Sequence, residues 1–279
     1  MNKNKLRDIC LNISEETGLS FNSIQTHYFL ESILKRIGES DERENFIFKG
    51  GFLLSNVIGI GSRSTVDIDF SIKNFSLTEE NIKQKFEKIL EANSNSEIIY
   101  KIKNIEKIKD QDEYGGFRIK ILCKLDNIEL TVPLDIATGD PITGGEIIYE
   151  YKSIFSDESI NICAYNIESI LAEKLHTIYS LGSFTSRSKD FYDIYALYKY
   201  EEANINFKKL SQACINTFKY RQTIYSPSEI INTFELIRTD EQVKKRWDNY
   251  QRKNAYAQGI AFDDIIDQAI ELVKKMERN

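Results

Sequence analysis

The most constraining feature of the sequence is a short apolar run ending in two glycines, Phe46-Ile47-Phe48-Lys49-Gly50-Gly51. It is followed at a distance by Gly61-Ser62-Arg63-Ser64-Thr65 and then Val66-Asp67-Ile68-Asp69-Phe70. Phe52 to Ile60 between them reads as an apolar helical segment, so the stretch predicts strand, helix, loop and strand. Successive strand side chains point to opposite faces. Asp67 and Asp69 then share one face, about 7 Å apart along the strand, while Val66, Ile68 and Phe70 take the other. Two carboxylates on one face, backed by apolar residues, are the donor chemistry that holds Mg²⁺. Gly50 and Gly51 lack a Cβ, so the backbone at the start of the helix can approach a triphosphate and offer it N–H groups. Arg63, Ser64 and Thr65 lie close enough in sequence to contact phosphates.

The rest of the chain limits which chemistry is available. At 279 residues it can hold one large or two modest domains. Its hydrophobic content of 41% and charged content of 29% are those of an ordinary globular protein. No apolar stretch reaches the roughly 18 residues that a membrane helix needs, and no apolar segment follows the N-terminal lysines, so the expected setting is cytoplasmic. The four cysteines are far apart and unpaired in pattern, which favours reduced thiols and argues against a zinc site. With only two histidines, chemistry falls to carboxylates and lysines. Net charge is −6 but uneven: Phe207 to Lys253 has ten Lys/Arg against five Asp/Glu, leaving that segment at +5 and the remainder at −11. Such asymmetry suits an acidic metal-binding half beside a basic half that meets a polyanion; it equally suits charges coating separate solvated helix faces.

In chain order, residues 1–45 read as two helices, Asn4 to Glu16 and Phe21 to Ile37, with Ser20 as N-cap and Gly38 as terminator. His27 reads as a structural or surface residue of the second helix. A helix starts near Thr78. Three strands are expected over Glu97 to Lys109, Phe117 to Leu125 and Ile128 to Ala137, the last two joined as a hairpin through Asp126-Asn127. Asp135 lies inside the apolar run of the third, where an acid is seldom buried without a partner. A loop-rich join from Thr138 to Tyr165, with Asp140 as a structural residue, leads into a helical remainder. There Lys174 rides the apolar face of Ile170, Leu171 and Ile178, and Asp190 and Asp193 share the face of Ile194 and Leu197.

The first motif resembles that of the polymerase-β-like nucleotidyltransferase superfamily. In detail it is similar to the AbiEii/AbiGii toxins of type IV toxin–antitoxin systems: Lys49-Gly50-Gly51, then Arg63, then Asp67-Ile68-Asp69-Phe70. The later segments Ala172-Glu173-Lys174-Leu175 and Arg187-Ser188-Lys189-Asp190-Phe191-Tyr192-Asp193 match the same family in order. After Leu197 only a basic, aromatic helical character and Trp247-x-x-Tyr250 continue the likeness.

The resemblance implies a mixed α/β (α+β) fold, with a nucleotidyltransferase core over residues 1–150 and a helical C-terminal domain over 151–279. It implies two Mg²⁺ ions held by Asp67, Asp69 and Asp135, with an NTP as substrate bound through Lys49, Gly50, Gly51, Arg63, Ser64, Thr65, Lys174 and Asp193. Lys174 and Asp190 would complete the catalytic set. The acceptor it implies is RNA, foremost the 3′ end of tRNA, met by a basic surface including Lys244, Lys245 and Arg246. The setting would be abortive infection and phage defence, with a separately encoded antitoxin that forms no stable complex and no membrane partner. The residues alone leave two alternatives open: the same core acting on a small-molecule or protein hydroxyl, and a nucleotide-binding module with a dead site.

Overall fold

A computed structural model describes residues 1–63, 65–91, 97–108 and 115–278. Ser64, expected to contact phosphate, lies outside the described residues. The chain divides into two compact units, Met1–Gly139 with Ile147–Ala164, and Asp140–Glu146 with Tyr165–Asn279.

The first unit opens with α1 (Lys3–Thr17) and α2 (Phe21–Glu39). Ser20 caps α2 by accepting from the Ser23 amide at 3.2 Å. Gly38 does not end this helix, which runs on to Glu39. A Cβ at Gly38 would lie 2.7 Å from Ile160 Cγ2 and 3.2 Å from the Asn161 carbonyl, so the glycine lets the helix press against a strand. Next come β1 (Phe46–Lys49), α3 (Gly50–Val57), β2 (Ile68–Ile72) and α4 (Glu79–Glu91), the last capped by Thr78, which accepts from the Asn81 amide. Then follow β3 (Ile99–Ile108), β4 (Gly116–Leu125) and β5 (Ile128–Ala137). Leu125 pairs with Ile128, which makes the expected two-residue hairpin, and Asp126 adopts the positive φ of 52° that such a turn requires.

The join expected to be loop-rich holds two more strands, β6 (Ile147–Lys152) and β7 (Ser159–Ala164), paired antiparallel. They carry the alternation of half-buried strands, with Tyr151, Ile160 and Ile162 turned inward. The expected division at residue 150 falls inside β6, and the two strands keep residues 147–164 with the first unit.

The seven strands form one mixed sheet in the order β3-β4-β5-β2-β1-β7-β6. β2 runs parallel to β5 and antiparallel to β1, while β1 meets β7 in parallel. Phe46, Phe48, Ile68, Phe70, Leu134 and Ile136 are buried and fill one face of its centre. A polar cluster sits within this unit: His27 Nε2 lies 3.0 Å from the Tyr151 hydroxyl, which donates to Glu31. His27 is therefore structural, and burial lowers its pKa to about 3, so the ring stays neutral.

The second unit packs α5 (Ile167–Leu181), α6 (Ser188–Glu201), α7 (Phe207–Tyr220), α8 (Pro227–Thr239), α9 (Glu241–Lys253) and α10 (Phe262–Arg278). Asp140 is structural here, because Arg221 grips it through Nε at 2.9 Å and Nη2 at 2.6 Å. All four cysteines are buried, and none forms a disulfide. Among the described residues no helix is long and apolar enough to cross a membrane.

The close approach at Gly38 yields a test. Substituting Gly38→Val should destabilise the protein by about 1–3 kcal/mol, as overpacking does, read as a lowered urea midpoint; an unchanged midpoint would show that this contact is loose.

Candidate active site

Strand register brings four charged residues into line. Lys49 on β1 stands opposite Asp69 on β2, Asp69 is in register with Asp135 on β5, and Asp135 is opposite Arg118 on β4. In-register residues of neighbouring strands project from the same face. The result is a cation, two carboxylates and a cation across four adjacent strands, on the face opposite the apolar centre.

Arg118 closes one end of this row. Its Nε donates to Asp135 Oδ1 at 2.7 Å and its Nη2 to Oδ2 at 2.6 Å. The hydrogen bonds it donates to Asp135 outweigh the burial that opposes its charge, the charges of Asp135, Asp67 and Asp69 add to them, and all hold the guanidinium firmly protonated. Asp67 precedes the β2 ladder and accepts a hydrogen bond from Thr65 Oγ1. Val66, expected on the buried face, is 51% exposed because β2 begins only at Ile68.

Gly50 and Gly51 begin α3 directly beside the row. Gly50 has a φ of 75°, and a Cβ there would stand 1.9 Å from Asp69 Oδ2. Only glycine meets both demands. A Cβ at Gly51 would lie 3.0 Å from Arg63 Nη2 and 3.4 Å from Thr65 Oγ1, so both expected phosphate-contacting side chains pack at this helix start. Lys49, the N-cap residue, makes no side-chain cap bond.

The donor set suits a hard divalent cation in its chemistry, since carboxylate oxygens are what Mg²⁺ prefers. Asp67 and Asp69 are the donors that fit. Both oxygens of Asp135 are engaged by Arg118, and among the described residues no group of three or more His, Cys, Asp or Glu is arranged to hold a metal. Arg118 was not singled out from the sequence, although the signal was there: counting back from the Asp126-Asn127 turn places it opposite Asp135.

The second unit holds a separate buried network. Lys174 Nζ on α5 donates to Asp190 Oδ1 at 2.8 Å and to Asp193 Oδ2 at 2.6 Å, both on α6. Arg187 Nε donates to Asp190 Oδ2 at 2.5 Å. The two carboxyl side chains are each 1% exposed and that of Lys174 is 14% exposed. Burial would raise the pKa of Asp190, but the charges of Lys174 and Arg187 prevail and bring it down to about 2. Burial would likewise lower Lys174, and the two aspartates outweigh it and raise its pKa. Lys174 is thus not primed to shed a proton. It is a held ammonium.

The three residues expected to face RNA differ in their surroundings. Lys245 is exposed, Lys244 reaches Glu241 at 3.1 Å, and Arg246 Nη1 donates to the carbonyls of Ser183 and Thr185 at 3.0 and 3.1 Å.

The chain is similar to known proteins in family and in fold. The family described as "Nucleotidyl transferase AbiEii toxin, Type IV TA system" matches residues 32–268. A crystal structure of an H. pylori protein described as a nucleotidyltransferase superposes with a TM-score of 0.50 at 18% identity, covering 93% of this chain and 98% of its own. The structure of JHP933 from Helicobacter pylori gives a TM-score of 0.50 at 17% identity, covering 93% and 95%. At such identities the likeness shows the fold alone. No curated protein matches the chain.

Two tests follow from the geometry. Gly50→Ala would drive a methyl into Asp69 at a positive φ, so nucleotidyl transfer should fall by about 100-fold or more; transfer at the wild-type rate would show that the approach is not needed. Asp190→Asn breaks a buried ion pair and should cost about 3 kcal/mol or more at neutral pH. Because folding depresses the Asp190 pKa below 3.8 to about 2, its contribution is complete above about pH 4 and is lost as the pH falls through 2. The gap in urea midpoint between wild type and Asp190→Asn should therefore narrow on acidification, and a gap independent of pH would contradict the assignment.

Proposed function

The chain belongs to the AbiEii family of nucleotidyl transferase toxins of type IV toxin–antitoxin systems, and we propose that it moves a nucleoside monophosphate from an NTP to the 3′ end of a tRNA. As a member of that family it is a nucleotidyltransferase and a toxin with an antitoxin partner. The acceptor, the metal and the residue roles given below are the proposal. The observation that carries it is the in-register row Lys49, Asp69, Asp135 and Arg118 beside the Gly50-Gly51 helix start.

In the proposed reaction the acceptor hydroxyl oxygen bonds to the α-phosphorus as the bond to the bridging oxygen of the β-phosphate breaks, and pyrophosphate leaves. Asp67 and Asp69 would hold Mg²⁺, two ions in the full reading, and Asp135 could join them only by releasing Arg118. When bound, the metal supplies neutralisation of charge on the triphosphate. The amides of Gly50 and Gly51, with Lys49, Arg63 and Thr65, receive phosphate oxygens and orient the NTP. Asp135 takes the acceptor proton in this reading, which requires Arg118 to release at least one of its oxygens. Lys174 is unsuited to that task, because two aspartates hold it as an ammonium. Its role is as a fixed positive charge for the nucleotide, with Asp190 and Asp193 setting its position.

The paired carboxylates of Asp67 and Asp69 suit a phosphoryl-metal centre, and the basic excess between Phe207 and Lys253 suits a polyanionic acceptor. In this reading the toxin arrests translation as part of phage defence, in the cytoplasm, and its antitoxin acts without a lasting complex.

Purified protein incubated with total tRNA, Mg²⁺ and each α-³²P-labelled NTP should transfer label to tRNA, and the Asp67→Ala and Lys174→Ala proteins should transfer at least about 100-fold less. Nucleotide binding without label on RNA would overturn the tRNA acceptor and favour a small-molecule acceptor or an inactive module.

A further inference from the structure

Within the second unit, the segment between α5 and α6 presents a large aromatic side chain to solvent. Phe184 ends a short 3-10 turn, Gly182–Phe184, and is 91% exposed. A single exposed apolar residue ordinarily needs no explanation, but this one sits on a loop that is held from both sides. Arg246 Nη1 on α9 donates to the carbonyls of Ser183 and Thr185, the residues flanking Phe184. Thr185 is buried, and its Oγ1 accepts from the Arg187 amide at 3.2 Å. The polar bonds thus fix the backbone on either side of a ring that itself buries almost nothing.

The charges nearby point to the partner. Arg187 and Lys189, both exposed, lie within five residues of Phe184, and exposed Lys245 is the chain neighbour of the Arg246 that clamps the loop. A fixed aromatic face among cations is how proteins receive single-stranded nucleic acid: a base stacks on the ring and the cations meet phosphates.

We propose that Phe184 is a stacking platform for an unpaired base of the RNA acceptor, with Arg246 acting as a positioning residue for the loop and not as a phosphate contact. This inference rests on the RNA reading above and adds the element that grips the acceptor. It also changes the part expected of Arg246, whose head group is turned to backbone carbonyls.

The test is fluorescence anisotropy of 3′-labelled tRNA against wild type and the Phe184→Ala, Phe184→Leu and Phe184→Trp proteins, with binding of a fluorescent NTP as control. Phe184 is 91% exposed and is not one of the residues assigned to NTP or metal, so NTP affinity should stay unchanged in all four. Losing one base–aromatic stack should weaken tRNA binding about tenfold or more in Phe184→Ala and Phe184→Leu, whereas Phe184→Trp should bind as wild type. The native Trp247 is buried, so saturating tRNA should quench the emission that F184W adds. Equal tRNA affinity in wild type and Phe184→Ala, or wild-type affinity in Phe184→Leu, would overturn the platform while leaving the RNA reading intact. Absence of tRNA binding by the wild type would overturn both.

Discussion

Two carboxylates stand side by side because β2 and β5 run parallel with Asp69 and Asp135 in register. Neighbouring strands are roughly 4.8 Å apart, and like charges at that range destabilise a sheet. The fold answers with a cation at each end of the row, Lys49 opposite Asp69 and Arg118 opposite Asp135. The apolar side chains that alternate with these residues fill the opposite face of the sheet, so its packing fixes the row in place. Two adjacent carboxylates, balanced by two cations, are kept where they contribute nothing to burial, as a site held for chemistry would be.

The same economy governs the second unit. Lys174, Arg187, Asp190 and Asp193 supply two positive and two negative charges, and their bonds hold α5 and α6 together at a nearly water-free point. Such a network is weak evidence for stability in itself, since apolar residues could pack there as well. Its value lies in holding one ammonium in a single place. Within Ala172-Glu173-Lys174-Leu175 and Arg187-Ser188-Lys189-Asp190, it is Lys174 and Arg187 that both donate to Asp190.

Much of this was legible in the sequence, for reasons of period and punctuation. Ser20 and Thr78 announced helix starts, Asp126-Asn127 announced the hairpin, and the alternation around Asp67 and Asp69 announced β2. The expected three-carboxylate cradle could not be judged from periodicity, because the bond between Arg118 and Asp135 depends on pairing; yet hairpin counting would have found it. The adjacency of Asp69 and Asp135 lay beyond reach, as a parallel pairing across some 65 residues leaves no local trace. β6 and β7 were overlooked although Ile147 to Tyr151 is rich in β-branched and aromatic residues, because Thr-Gly-Asp-Pro and Gly-Gly upstream drew the whole join towards loop. Gly38 misled in the opposite direction: a glycine near a helix end usually terminates it, and here tertiary packing required the small residue inside the helix.

The central claim is that the row on the sheet is the reacting centre and not a structural ion cluster. The most direct measurement is pyrophosphate release with NTP and tRNA by the Asp69→Asn protein, taken beside its urea midpoint. Removing one of two adjacent like charges should leave the midpoint equal to or above that of the wild type while release falls by about 100-fold or more. Release at the wild-type rate, or a loss of activity that merely tracks unfolding, would contradict the account.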